Sequence, residues 1–363
     1  MKIQEAIMKL VGGRSLTEAE SFEVLGEVLD GEATTAQTGG FLTALRINGL
    51  TADELTGAAK AVRKRIQGIT GPPSVIALDR EEIHLDQETI LGTSGREGVT
   101  RIFNISTAAA FVAAGAGVPV AKFGLRSASA YCGSEQVLLN LGILLDLTPS
   151  QLERCLREVG VGFLFSSAIQ NGLGKLLSIR EEMGIRTLLN FLGPLANPAG
   201  ARIQVLGVYQ PDQTTLIAEA LARLGAERAL IVHGQDTLDE ISITGTTQIS
   251  ELQNGRIKNY RIEPEDLGIR RVEVKELEGG DAKQNARIIE AVLAGESGPR
   301  RDVVLANAGA GLYAAGKAKN LKGGLDLARE AINSGKALKK LTQLRDWFLE
   351  ESVYLRNLTF QSG

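Results

Sequence analysis

Gly92–Arg126 reads GTSGREGVTRIFNISTAAAFVAAGAGVPVAKFGLR. A β-favouring run, Thr89–Leu91, enters a loop with glycines at 92, 95 and 98. Asn104, Ser106 and Thr107 then open an apolar, alanine-rich helix that the spacing ends near Gly115 or Gly117. A short strand, Val118–Ala121, follows, and Lys122 and Arg126 lie just beyond it. Strand, glycine loop and polar helix N-terminus make an anion-binding device. Glycine lets the backbone approach a ligand, N–H groups face it, and the helix dipole favours negative charge. A plain strand-to-helix turn with a Ser/Thr cap would share the loop. The two cations beyond the next strand favour a phosphate site.

Upstream, residues 1–70 predict four helices and no strand. Ile3, Ala6, Ile7, Leu10 and Val11 fall at helical spacing. Thr17 with Glu20 and Thr51 with Glu54 form capping boxes, and Gly31 stops the second helix. Gly39 and Gly40 fall inside the third helix at a cost of about 1 kcal/mol each, which points to a close helix or subunit contact. GlyProPro at 71–73 marks a linker.

Beyond it, short β-rich runs alternate with helical patterns, which predicts an α/β domain over 73–350 with a central, mostly parallel sheet. The predicted strands are Val75–Leu78, Thr89–Leu91, Val118–Ala121, Ile143–Leu145, Val161–Phe163, Gln204–Val208, Leu230–Val232 and Val303–Leu305. Helices fit Thr148–Val159, Thr215–Leu224 and Gln284–Leu293, and again from Gly311 to about Leu349. Ile241–Ile243, Gln248–Leu252 and Ile257–Ile262 predict an antiparallel excursion turning at Asn254–Gly255. Residues 351–363 are set apart as a tail, because RNLTFQSG from Arg356 partly resembles a protease-cleavage tag remnant, differing at two positions.

Composition narrows the function. The chain has 363 residues, 44% of them hydrophobic, enough for two domains. No apolar run approaches the roughly 20 residues that span a bilayer, and the N-terminus lacks a signal-peptide core, so a cytoplasmic protein is expected. Two cysteines and two histidines make neither a disulfide framework nor a zinc pattern. A net charge of −3 with scattered Lys and Arg argues against general nucleic-acid affinity.

These residues carry a resemblance to a known family. GTSG (92–95), NIST (104–107), VPVAK (118–122), GLRS (124–127) and Gly133-Ser134 resemble anthranilate phosphoribosyltransferases in order and spacing. So do GFLF (162–165), Arg180, GIRT (184–187), NFLGPLANP (190–198), HGQD (233–236), DEIS (239–242) and NAG (307–309). The resemblance covers about residues 1–345. It implies the nucleoside phosphorylase/phosphoribosyltransferase fold, with the helical domain joined by about residues 167–190, the active site between the domains, and usually a homodimer formed through the helical domain. It also implies transfer of a phosphoribosyl group from 5-phosphoribosyl 1-diphosphate to the amino group of anthranilate, in tryptophan biosynthesis, with Mg2+. By similarity, Gly92, Thr93, Gly95, Asn104, Ser106, Thr107, Lys122 and Ser134 bind the donor. Ser106, Asp239 and Glu240 resemble the metal ligands, and Arg180, Leu125 and Phe123 stand at acceptor positions. No side chain serves as a covalent catalyst in this reading.

The departures concentrate in the site. Arg96 stands where the family loop GTGGD has its Asp, with about two extra residues before Phe103. The family's KHGNR is KFGLR here, so Phe123 and Leu125 replace a His and an Asn. An SSKSG-type loop reads SAYCG (129–133), and HPAMK reads QNGLG (170–174). Arg180, which suits a planar carboxylate, is kept. Apolar groups at polar positions leave hydrogen bonds unreplaced, so an altered or more apolar acceptor is expected. The competing readings are a nucleic-acid-binding paralogue without catalysis and a nucleoside phosphorylase of the same fold.

Overall fold

The computed structural model describes residues 1–66, 72, 74–80, 102–123, 133–164, 174–235 and 239–361. It has an N-terminal helical part and a larger α/β part around a seven-stranded sheet.

The helices are α1 (Ile3–Val11), α2 (Glu18–Leu29), α3 (Thr35–Asn48) and α4 (Ala52–Arg65). Both expected capping boxes form: Thr17 N–H donates to Glu20 at 2.8 Å, and Thr51 N–H to Glu54 at 2.8 Å. A third, Thr34 with Gln37, starts α3. Glu54 is fully buried, and its other oxygen accepts from Leu16 N–H at 2.9 Å, so the cap also anchors the loop before α2. Gly57 lets α4 lie backbone to backbone on α2, since a Cβ there would stand 2.1 Å from the Glu18 carbonyl oxygen. Among the described residues Gly39 and Gly40 meet no such neighbour: a Cβ on Gly39 would touch none of them within 4 Å, and one on Gly40 only Ile7 Cδ1 at 3.8 Å.

The α/β part contains β1 (Ile76–Arg80), α5 (Ile105–Gly115), β2 (Val120–Phe123), α6 (Ser134–Asn140), α7 (Pro149–Glu158) and β3 (Val161–Leu164). It continues with α8 (Gly174–Met183), α9 (Leu189–Ala196), β4 (Ile203–Gly207), α10 (Gln213–Arg223), β5 (Arg228–Gly234), β6 (Thr247–Gln253) and β7 (Arg256–Ile262). Four helices close it: α11 (Ala282–Leu293), α12 (Pro299–Ala314), α13 (Leu321–Asn333) and α14 (Lys336–Gln361). The strand order is β3-β2-β1-β4-β5-β6-β7; the first five in space are parallel, and β6 and β7 are antiparallel. The chain therefore builds outward from β1 in one direction, to β2 and β3, then returns to β1's other side with β4. Such a reversal opens a crevice beyond the carboxyl ends of the two strands.

Four sequence expectations need correction. Val303–Leu305 lies inside α12, because its apolar run is buried on all sides and such a run reads alike as core strand or core helix. For the same reason the helical stretch begins at Pro299 rather than Gly311, and it ends past Leu349 at Gln361. Ile143–Leu145 alternates buried and exposed residues, as a strand would, yet pairs with nothing in the sheet. Ile241–Ile243 is irregular, and the excursion is β6 and β7 alone. Its turn forms at Asn254 (φ 51°) and Gly255 (φ 72°), the positive angles that a two-residue hairpin requires. Thr89–Leu91 lies outside the described residues.

Two apolar cores result. The main one packs α5, α12, α13 and α14 against one face of the sheet. The second joins α1–α4 with Leu176 and Ile179 of α8, with α9, and with Ile217 and Leu221 of α10. Arg63 crosses between these elements. It donates to the Leu195 carbonyl at 2.7 and 3.0 Å and to the Leu224 carbonyl at 3.0 Å, holding the C-terminal ends of α9 and α10.

Candidate functional site

The crevice between β1 and β4 is lined by polar side chains together with the apolar Ala109, Val205 and Val232. Leu78 and Asp79 come from β1, Gly207 from β4, and Ser106 from the first turn of α5. Asp239 and Glu240 follow β5, and Asn307 comes from α12. Each of the polar residues in this group is at most 7% exposed.

The N-terminus of α5 is where the chain's opening motif leads. Every residue from Ile105 to Ala114 is buried, which explains the alanine run: larger side chains would separate the helix from α12 and α14. Gly115 has the same origin, as its Cβ would stand 2.8 Å from Ala337 Cα in α14. Asn104 occupies the N-cap position, but its side chain makes no capping bond. It reaches Ser134 Oγ at 3.5 Å and accepts from Asn285 Nδ2 at 3.2 Å, tying the helix start to α6 and α11. Thr107 Oγ1 is buried with no hydrogen-bond partner among the described residues. A buried hydroxyl left so is costly unless another group reaches it.

Lys122 lies within β2 rather than beyond the strand, because β2 runs from Val120 to Phe123. It is 4% exposed, and its Nζ donates to the Leu78 carbonyl at 3.2 Å, which sets a cation behind the crevice wall. Phe123 is 5% exposed with its ring in the main core, and its N–H donates to Asp79 Oδ1 at 3.1 Å. Asp79 Oδ2 accepts from Asn197 Nδ2 at 3.2 Å. One buried carboxylate thus joins the ends of β1 and β2 to the residue that terminates α9. Sequence reasoning missed Asp79; its signal was a lone acid closing the apolar run Val75–Leu78. Gly207 was missed as well. A Cβ there would stand 1.6 Å from the Asp239 carbonyl oxygen, so only glycine lets the Asp239–Glu240 backbone settle on the end of β4.

The structure therefore gathers Ser106, Asp239 and Glu240 around one crevice, with Lys122 behind its wall, and links Asn104 to Ser134. Arg180 is elsewhere in the fold, 2% exposed on α8, whose neighbours Leu176 and Ile179 belong to the second core. Gly92, Thr93, Gly95 and Leu125 lie outside the described residues, as do Arg96, Arg126 and residues 165–173.

The donor set suits a hard cation. Three carboxylates, of Asp79, Asp239 and Glu240, and the Ser106 hydroxyl line the crevice, and oxygen ligands of this kind fit magnesium. Among the described residues no group of three His, Cys, Asp or Glu side chains converges as a metal cage. Magnesium in phosphate chemistry needs no such cage, since one or two carboxylates, water and phosphate oxygens complete its shell.

Residues 4–66 match the helical bundle domain of a glycosyl transferase family, and residues 87–338 match the α/β domain of the same family. The anthranilate phosphoribosyltransferase of Trichlorobacter lovleyi is 47% identical over 343 residues, covering 94% of this chain and 98% of that protein. The chain belongs to the anthranilate phosphoribosyltransferase family. The enzyme of that name from an Anaeromyxobacter strain is 48% identical over 94% of this chain and 97% of its own. Among solved structures, the anthranilate phosphoribosyltransferase of Thermus thermophilus superposes with a TM-score of 0.84 at 37% identity, over 94% of this chain and 98% of its own. The Saccharomyces cerevisiae enzyme, solved in complex with PRPP and Mg, gives a TM-score of 0.82 at 27% identity, over 95% and 97% of the two chains. Membership of the anthranilate phosphoribosyltransferase family accounts for the two-part architecture and for the sheet.

Proposed function

We propose that this chain transfers the phosphoribosyl group of 5-phosphoribosyl 1-diphosphate to an aromatic amine, anthranilate or a close relative, with Mg2+. The observation that carries the proposal is the crevice at the β1/β4 reversal, where Ser106, Asp239 and Glu240 meet beside the N-terminus of α5. It is supported by the yeast relative's complex with PRPP and Mg, at 27% identity.

The reaction breaks the bond from the sugar's anomeric carbon to diphosphate and forms one to the amine nitrogen. The electron pair of the broken bond leaves with diphosphate, and the amine's proton passes to solvent. Positive charge builds on the sugar and negative charge on the leaving group, so the protein's work is to hold and neutralise diphosphate. The α5 N–H groups and Thr107 Oγ1 offer donors to phosphate oxygens, and the Lys122 cation adds to the field from behind Leu78. Ser106, Asp239 and Glu240 would hold the metal. Magnesium, when bound, supplies charge neutralisation of the diphosphate. Gly92, Thr93 and Gly95 would cradle the same phosphates, and Asn104 with Ser134 would orient the donor from the helix start. Arg180 would pair with an acceptor carboxylate, with Phe123 and Leu125 making that side more apolar than in the family.

A homodimer is part of the proposal. Met8 and Val11 of α1 and Ile47 of α3 are 68%, 75% and 81% exposed, and the Gly39–Gly40 pair on α3 has no close partner among the described residues. These features support an interface between two helical parts. Sedimentation equilibrium at micromolar concentration tests it, with a monomer mass against.

The transfer is tested by a screen of aromatic amines and carboxylates, measuring diphosphate release from the donor. Magnesium-dependent release with at least one aromatic amine is expected. No release with any of them, at millimolar donor and magnesium, overturns the proposal.

A further inference from the structure

The segment carrying Asp239 and Glu240 is irregular over residues 239–243, and past Ile241 it is held by Ser242 N–H donating to Thr247 Oγ1 at 2.9 Å and by Val272 N–H donating to the Ile243 carbonyl at 3.1 Å. At Ile241, next to the carboxylates, Asn307 holds it. Its Oδ1 accepts from the Ile241 N–H at 2.9 Å, and its Nδ2 donates to the Ile241 carbonyl at 3.0 Å. One side-chain amide thus engages both polar groups of a single residue, as a neighbouring strand would. The second Nδ2 proton goes to the Val303 carbonyl at 2.9 Å, one helical turn back along α12. These partners also settle the amide's orientation, since an N–H needs an acceptor and two carbonyls need donors. On the other side, the Asp239 carbonyl oxygen sits where a Cβ on residue 207 would be, 1.6 Å from that position.

We propose that Asn307 is a positioning residue that aims Asp239 and Glu240 at the metal, with Gly207 as the seat against which it holds them. The inference rests on the reading of Asp239 and Glu240 as metal ligands. Asn307 borders the crevice but has no proton to spare for a ligand, because both of its amide hydrogens are committed to protein carbonyls. It acts on the carboxylates through the backbone. The two bonds to Ile241 fix the peptide planes on either side of that residue, and the first of these planes carries the Glu240 carbonyl. Without them the pair keeps its charge but loses its aim, and a metal shared with phosphate tolerates little misplacement of its few protein ligands.

Asn307→Ser separates this role from simple packing. A serine hydroxyl on a helix bonds back to the carbonyl four residues earlier, so Val303 stays satisfied while the grip on Ile241 is lost. Asn307→Asp is the second variant. It keeps size and the acceptor for Ile241 N–H but sets an oxygen against two carbonyls. The readout is binding of Mn2+, in place of Mg2+, to the protein with 5-phosphoribosyl 1-diphosphate, followed as loss of the free-ion electron paramagnetic resonance signal. The expected result for both variants is a half-saturating Mn2+ concentration about ten- to thirty-fold higher, the loss expected for two neutral hydrogen bonds. Circular dichroism shows that each is folded. A folded variant that takes up Mn2+ as the unaltered protein does overturns the proposal. Asp239→Ala with Glu240→Ala serves as the control for the underlying reading. If that pair binds Mn2+ normally, the metal assignment itself fails; if it loses Mn2+ while both Asn307 variants keep it, only the positioning role fails.

Discussion

The proposed donor side of the crevice is walled by the ends of β1 and β4, the first turn of α5 and the segment after β5, and two of its side chains are tied across the fold, Asp79 to Phe123 and Asn197 and Asn307 to Ile241 and Val303. The residues proposed for the acceptor come from different places: Phe123 with its ring in the main core, Arg180 on α8 beside Ile179 of the second core, and Leu125 beyond the described residues. The two sides also differ in sequence. Asn104, Ser106, Thr107, Lys122, Asp239 and Glu240 match the family pattern, whereas Phe123 and Leu125 depart from it. A diphosphate and its metal make the same demands whatever the acceptor is, so the groups that meet them have little freedom. Acceptor recognition rests on a few hydrogen bonds that can be exchanged, each worth about 1–3 kcal/mol.

The largest effect should come from the donor side. Asp239→Ala combined with Glu240→Ala is expected to lower turnover at least about 10²–10³-fold, as loss of a charge-stabilising element does. Diphosphate release at saturating substrates measures it, and circular dichroism shows whether the fold is kept. A rate within threefold of the unaltered protein would make the pair ordinary surface carboxylates.

Next comes the acceptor side. Anthranilate is expected to be a poor substrate. Restoring the family's polar residues with Phe123→His and Leu125→Asn should raise kcat/KM for anthranilate, by about 5- to 150-fold for each contact recovered. Efficient use of anthranilate by the unaltered chain, unimproved in the double variant, would remove the asymmetry between the two sides.

A smaller effect probes the second core, where Arg63 ties α4 to the ends of α9 and α10. Arg63→Met leaves the Leu195 and Leu224 carbonyls without their cationic donor and should destabilise the protein by about 2–4 kcal/mol. Chemical denaturation reads the loss, and an unchanged midpoint would show that water replaces the guanidinium at no cost.

The smallest lies at Cys155 on α7, in the main core. Burial pushes the Cys155 thiol up to about 12, so at pH 8 it is protonated and enclosed. A group whose folded pKa is raised supports the fold below its unfolded value, about 8.5, and that support fades as pH rises towards 12. Peptide mapping after iodoacetamide treatment should find Cys155 unmodified in the native protein and modified after denaturation. Native-state labelling at pH 8 would contradict this burial.

The same contrast explains what the sequence alone could disclose. Caps and turns are local, and the capping boxes at Thr17 and Thr51 and the Asn254–Gly255 hairpin form where their residue types demand. Val303–Leu305 failed because burial on every side erases the periodicity that separates strand from helix. Motif residues such as Ser106 and Asp239 could be named in advance because they resemble a family. Asp79 and Gly207 could not, since their roles exist only once β1, β2 and β4 are side by side and the Asp239 backbone rests on Gly207. Asn307 was visible as part of a motif, but its grip on Ile241 spans 66 positions and has no local signature.

The most direct test of the donor side's integrity is calorimetric titration with 5-phosphoribosyl 1-diphosphate, with and without Mg2+ and with no acceptor present. Saturable heat at or below millimolar donor, dependent on Mg2+ and lost in the Asp239→Ala, Glu240→Ala double variant, is the predicted result. No heat at millimolar donor with Mg2+ would contradict it, and the crevice at the β1/β4 reversal would then not be a phosphoribosyl-donor site.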